Sequence, residues 1–237
     1  MAELKLNSLD ISDAMIERPV SFMIGGCRYC LYYPTLGKLQ LLSRLIGPLG
    51  FNSGAVATGD VYMIAKNAAK NRREETLRYL AYNSLPGDDC LHESKVLARI
   101  KSLGRADEND LPVLLITALT MDKTAAIMDE LGVEKESKRL ERVIKAKDKD
   151  KNSVSFGGKS IWGALIDAAC ERYGWTYQYV LWGISYCNLQ MLLSDHVKTV
   201  LLTDAERKRI HVSTDNITIN ASDNNALSEF ISKQSWK

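Results

Sequence analysis

Cys27-Arg-Tyr-Cys30 is the segment whose side chains and spacing come nearest to chemistry. A C-x-x-C pair serves thiol–disulfide exchange when its first thiol is ionised, and serves zinc when a second ligand pair completes the tetrahedron. Cys90, Cys170 and Cys187 are isolated, and His92, His196 and His211 stand apart from one another, so no second pair is at hand. The segment also reads as a β-strand, where residues 27 and 30 point to opposite faces, whereas redox chemistry wants the first thiol at a helix N-terminus. These are read as strand cysteines.

Gly157-Gly158-Lys159-Ser160 copies the end of a phosphate-binding loop, in which backbone N–H groups and a lysine cradle phosphate oxygens. The full pattern needs glycine at position 153, where Ser153 stands, and an apolar strand before it, where the chain reads KAKDKDKN. The match is read as linker. H-E-x-x-H, G-x-S-x-G and G-x-G-x-x-G do not occur, and the carboxylates are scattered over helix surfaces, so no acid–base pair can be nominated. No catalytic, cofactor-binding or metal-ligating residue is expected, and the chain is read as a non-enzyme without a cofactor.

Cys170-x3-Gly174-x5-Val180 has the spacing of a helix-turn-helix, with the glycine making the turn between packed helices. A DNA reader needs Arg, Lys, Asn or Gln on the second helix to reach base edges and phosphates. That helix is Thr176-Tyr-Gln-Tyr-Val-Leu-Trp-Gly-Ile184, without a positive charge. A DNA-binding regulator built on residues 160–200 is therefore the alternative reading, and nucleic acid is not the expected partner.

The same stretch concentrates aromatics: Trp162, Tyr173, Trp175, Tyr177, Tyr179, Trp182 and Tyr186 fall within 25 residues of a chain that is 8% aromatic. Such side chains anchor partner segments in desolvated pockets, or else fill the core of a small helical domain. If Trp175, Tyr179 and Trp182 line a partner groove, their i, i+4 and i+7 spacing sets them on one helix face. The expectation is a split, with Trp162 and Trp175 in the core and Tyr179 and Trp182 at least partly exposed.

The elements that must hold these residues follow from periodicity. Pro19 to Ile24 and Cys27 to Tyr33 are β-prone runs joined by Gly25-Gly26, which can adopt the positive φ of a tight primed turn. Thr35 is a candidate N-cap for a helix through Leu36, Leu39, Leu42, Leu45 and Ile46 to the Gly47-Pro48 stop. Apolar stripes at helical spacing follow: Val61 to Ala81 across a basic middle, Val96 to Leu103, Val113 to Leu119 after Pro112, and Ile127 to Leu131. The residues before Pro19 read as a loose arm. The fold class expected is mainly α: an N-terminal β-hairpin followed by a bundle of four or five helices, plus a small C-terminal three-helix domain.

Residues 134–151 mix eight basic with five acidic side chains and read as a solvated helix fraying into a linker. The expected organisation is a hairpin-plus-bundle domain over 1–146, a linker over 147–159, a small helix-turn-helix-like domain over 160–211, and a flexible tail over 212–237. Within the last domain, helices are expected over 161–169, 175–184 and 189–200.

Whole-chain properties exclude several classes. The 237 residues carry 31 basic against 29 acidic side chains, a net charge of +2, which advertises neither nucleic acid nor an anionic membrane. Acidic Glu3, Asp10 and Asp13 stand where a signal peptide needs a basic start and an apolar run, and five cysteines make an odd number. A cytoplasmic location is expected. The longest uncharged window, 174–194, is interrupted by Gln178, Asn188 and Gln190, and no transmembrane helix is expected.

Two stretches carry a resemblance. Phe22-Met-Ile-Gly-Gly with Tyr29-Cys-Leu-Tyr-Tyr-Pro-Thr-Leu-Gly-Lys38 resembles the opening of bacteriophage tail assembly chaperones. Trp162-Gly163, Ile166-Asp167, Arg172-Tyr-Gly-Trp175 and Tyr179-Val-Leu resemble the C-terminal half of the same family. The resemblance spans about a third of the chain, and its motifs are structural. It implies a helical protein, made during lytic growth or from a prophage, that coats the tape-measure protein and yields it as tail-tube protein polymerises. It is absent from the finished virion in this picture, and self-association is compatible with the role. The family's short and frameshift-extended forms leave both an extended product and an unshifted fusion open here.

Overall fold

The computed structural model describes residues 8–51, 60–107, 109–146, 160–194, 200–203 and 206. The expected linker at 147–159, which includes Gly157-Gly158-Lys159, and the expected tail at 212–237 lie outside the described residues. Two compact units are present, one of Met1–Val133 with Phe156–Asp195 and one of Glu134–Ser155 with His196–Lys237. The protein is mainly helical with a two-stranded sheet.

In the first unit, β1 (Val20–Ile24) and β2 (Cys27–Leu31) pair antiparallel, with Val20 opposite Leu31 and Ile24 opposite Cys27. Gly25 and Gly26 make the turn at φ +55° and +77°, the left-handed pair that a two-residue primed turn needs and that side chains resist. Thr35 caps α2 (Leu36–Ile46) by accepting the Lys38 N–H at 3.4 Å, and Gly47 closes it.

Four helices follow around the core: α3 (Val61–Asn71), α4 (Arg73–Ser84), α5 (Glu93–Leu103) and α6 (Asp110–Thr120), with a 3-10 turn at Gly87–Leu91 between α4 and α5. Leu31, Leu80, Val96, Leu103, Leu111 and Leu115 are fully buried where these elements meet. The single stripe expected from Val61 to Ala81 is two helices, because Arg72 leaves helical geometry at φ −136°, ψ 49° and its N–H closes α3 on Ala68. Helix α6 begins ahead of Pro112, which sits in its first turn, where a missing N–H costs no intrahelical bond. With α2 these make five helices around the core.

Part of the N-terminal arm that is expected to be loose is helical. It forms α1 (Ser8–Met15), which buries Ala14 against Ile127 of α7 (Thr124–Glu130) and Cys187, and whose Asp10 pairs with Lys123 at 2.5 Å. Its apolar residues are too few to register as a stripe, since Leu9 and Ile16 remain exposed. The stretch Asp110–Glu130 is long and apolar enough to cross a membrane by length and composition alone. It is broken at residues 121–123, and Leu111, Leu115, Met121 and Ile127 serve as buried packing residues.

Lys38 is 1% exposed. Its ammonium donates to the Leu85 carbonyl and lies 5.3 Å from the Tyr32 ring centroid, and burial pulls its pKa down to about 8. Burial likewise pushes Tyr79 up to about 12.

The helix α8 (Val133–Ala146) carries surface pairs Glu136–Arg139 and Glu141–Lys145, as expected of a solvated charged helix. In the second unit the Glu206 carboxylate accepts the Thr203 N–H at 2.7 Å and its hydroxyl at 2.9 Å.

Candidate partner-binding surface

Three short helices carry the aromatic concentration: α9 (Ile161–Tyr173), α10 (Tyr177–Trp182) and α11 (Tyr186–Ser194). Each start and stop has a local cause. The Ser160 hydroxyl accepts the Gly163 N–H at 3.1 Å, Gly174 ends α9 in the left-handed region at φ +65°, and the Thr176 hydroxyl accepts the Tyr179 N–H at 3.2 Å. The helix-turn-helix spacing is thus met by a left-handed Gly174 and a fully buried Val180. The second helix is only six residues long and carries no basic side chain.

Ala169, Val180, Ile184 and Leu189 pack around Leu36 of α2, so these helices complete their cluster with a residue from the N-terminal bundle. The junction is hydrogen-bonded. Thr35 and Ser185 form an isolated antiparallel bridge, and the Tyr186 N–H donates to the Pro34 carbonyl at 2.8 Å. Glu17, a non-glycine residue at φ +53°, accepts the Ser185 N–H and the Asn188 side-chain amide through one carboxylate oxygen, both at 2.9 Å. Asn188 also donates to the Met15 carbonyl.

The three groove candidates are divided by this packing. Trp175 precedes α10 instead of lying on it, half-buried against the Leu36 cluster and stacked on Tyr173 at 4.5 Å. Tyr179 is 44% exposed, meets Trp175 edge-on at 5.1 Å and covers Gly183. Trp182 is half-buried and lies flat against Gly37 of α2, where a Cβ would come within 2.7 Å of the ring. Trp175 does not share a helix face with Tyr179 and Trp182 because α10 starts two residues after it. Trp162, expected in the core, is 46% exposed, its ring 6.5 Å from that of Tyr186.

Ile161 (80% exposed) and Tyr177 (58%) join Trp162 and Tyr179 as large apolar side chains left in solvent. Counting aromatics found the region but not Ile161.

The chemistry of the remaining candidates is quiet. Cys27 and Cys30 lie on β2, opposite Ile24 and Ser21, as free thiols. Burial pushes the Cys90 and Cys187 thiols up, which keeps them protonated near neutral pH. Among the described residues no three His, Cys, Asp or Glu side chains converge as metal ligands. No protein-family model matches the chain, nor does any curated protein or solved structure.

Proposed function

We propose that this chain is a non-enzymatic bacteriophage tail assembly chaperone, acting in the host cytoplasm, that covers the apolar stripe of a tape-measure protein and helps recruit tail-tube protein. In this reading the helices α9 to α11 face the partner. The observation that carries it is the exposure of Ile161, Trp162, Tyr177 and Tyr179 on one run of short helices. A long helical partner with an unpaired apolar stripe would aggregate alone, and a surface bearing rigid aromatic side chains is suited to cover it. The helical fold, with its hairpin leading into a capped helix, agrees with the sequence resemblance.

The test is co-expression with the long helical protein encoded beside this chain, followed by affinity capture. Capture of that protein or of the tube subunit is expected; recovery of neither removes the proposal. Tyr177→Ala and Trp162→Ala should each weaken capture by about 1–3 kcal/mol while leaving the melting temperature in place. Trp182→Ala should instead lower the melting temperature, since its ring packs on Gly37.

A further inference from the structure

The register of the hairpin fixes which backbone groups of β1 face away from β2. Ile24 and Cys27 flank the two-residue turn and so exchange both ladder hydrogen bonds, which makes Phe22–Tyr29 and Val20–Leu31 bonded pairs as well. The N–H and C=O of Ser21 and Met23 therefore point outward, and among the described residues they have no hydrogen-bond partner. We infer that β1 pairs antiparallel with β1 of a second copy of this chain, joining the two hairpins into one continuous sheet across a two-fold axis. This edge lies on elements other than those of the aromatic surface and stands independently of the chaperone reading.

The edge is open and lacks the devices that keep strands apart. Val20-Ser-Phe-Met-Ile24 contains no charge, no proline and no bulge, and Val20 and Met23 are 43% and 62% exposed. The helical body meets the sheet at β2 instead. Helix α4 packs against that strand, the Tyr29 and Ser102 hydroxyls share a hydrogen bond, and the Tyr32 N–H just past β2 donates to the Asn83 carbonyl at 2.9 Å. A two-stranded hairpin is marginal by itself, and further strands stabilise it.

What fits this edge best is the same strand. A two-fold axis through Phe22 sets Ser21 opposite Met23 of the second copy, and each such pair exchanges both bonds. A register shifted one way would set Pro19, which has no N–H, against Met23; shifted the other way it would set Ser21 against Gly25 of the turn. Only the register centred on Phe22 uses every outward group. The side chains agree with it. Phe22 stacks on Tyr29 with ring centroids 5.6 Å apart and is half-buried, so a row of rings stops at the edge. Paired through Phe22, the row continues into Phe22 and Tyr29 of the second copy, and the exposed Val20 falls opposite Ile24 on the same face. On the other face Arg28 reaches the Ser21 hydroxyl at 3.2 Å, which brings its guanidinium beside Met23 of the second copy.

The experiment is sedimentation equilibrium of the full chain from about 1 to 200 µM, with amide exchange measured at both ends of that range. A reversible dimer is expected, with a dissociation constant between about 1 and 100 µM, and exchange at Ser21 and Met23 should slow as it forms. Ser21→Pro removes an outward N–H that makes no bond to β2 and should weaken the dimer at least about tenfold. Met23→Lys, at an exposed position, sets an ammonium beside Arg28 of the second copy and should weaken it comparably. Unchanged melting curves at low concentration show that a variant folds; if Ser21→Pro does not fold, Met23→Lys and the exchange data decide. Trp162→Ala, on the aromatic surface, should leave the dimer intact. A chain that is monomeric at about 200 µM, a dimer that Met23→Lys and a folded Ser21→Pro leave unchanged, one without slowed exchange at residues 21 and 23, or one lost in Trp162→Ala overturns the proposal.

Discussion

The N-terminal bundle and the C-terminal helices bury side chains on very different terms. The first draws its core from both strands and from α2 to α6, with Leu31, Leu80, Val96, Leu103, Leu111 and Leu115 wholly removed from water. The second has Ala169, Val180, Ile184 and Leu189, completes the cluster with Leu36 borrowed from α2, and leaves Ile161, Trp162, Tyr177 and Tyr179 in solvent. Hydrogen bonds do at the junction what apolar area does inside the bundle: Pro34, Thr35 and Glu17 fasten the start of α11. The bundle is therefore expected to be the more stable part, with the C-terminal helices opening ahead of it.

Cavity-forming substitutions give the largest expected effects. Leu80→Ala and Leu111→Ala remove fully buried side chains and should each cost about 2–5 kcal/mol, seen as a lower urea midpoint for the whole unit. Leu189→Ala removes an equally buried side chain from the other cluster. Its cost should appear in hydrogen exchange as faster opening of residues 177–194, with a smaller shift of the global midpoint. If Leu189→Ala lowers the midpoint as far as Leu80→Ala does, the two regions unfold as one and the contrast between them fails.

Alkaline pH sharpens the contrast, because the two most displaced groups both sit in the bundle. Lys38 has a folded pKa of about 8 against 10.5 in the unfolded chain. Between those values the unfolded state holds the extra proton, so stability should rise with pH by about 3 kcal/mol. Tyr79, at about 12 in the fold against 10.0 unfolded, works the other way: above pH 10 the folded state holds the extra proton and stability falls. The raised Cys90 and Cys187 thiols oppose the Lys38 climb above about pH 9, so the urea midpoint should climb from pH 8, level off near pH 9 and then drop. Lys38→Met should flatten the climb while leaving the drop. A midpoint that falls steadily from pH 8 would mean that Lys38 is not held in the buried site described.

What was legible in the sequence was whatever depended on neighbouring residues. Gly25-Gly26 marked the hairpin turn, Thr35 and Gly47 bracketed α2, and Ser160 and Gly174 bracketed α9, because caps and primed turns are decided within four residues, whereas the Thr176 cap that delays α10 to Tyr177 was not read. Helix α1 was hidden, since Ala14 gains its role only by meeting Ile127 and Cys187, more than a hundred residues away. Trp162 leaves the core it is expected in for the same reason, while Trp182 is half-buried. Which tryptophan is covered depends on Gly37, a residue of α2 that no local pattern connects to residue 182.

The smallest expected effect tests the junction itself. Glu17 is held at φ +53°, where a non-glycine residue is strained by about 1–3 kcal/mol, and its carboxylate accepts two donors from the start of α11. Glu17→Ala keeps the strain and removes the acceptors, leaving the N–H of the fully buried Ser185 without its partner. The cost should be about 1–2 kcal/mol, read as roughly tenfold faster amide exchange at residues 185–189 with little change in exchange around Leu80. Glu17→Gln keeps an oxygen acceptor and should lose less. Glu17→Gly loses the acceptors but adopts that φ without penalty, so its stability should lie above that of the alanine variant. If alanine and glycine are equally destabilised, the strain at residue 17 is not real. If exchange at 185–189 is unaffected by all three, the carboxylate does not hold α11 and the junction rests on Pro34 and Thr35 alone.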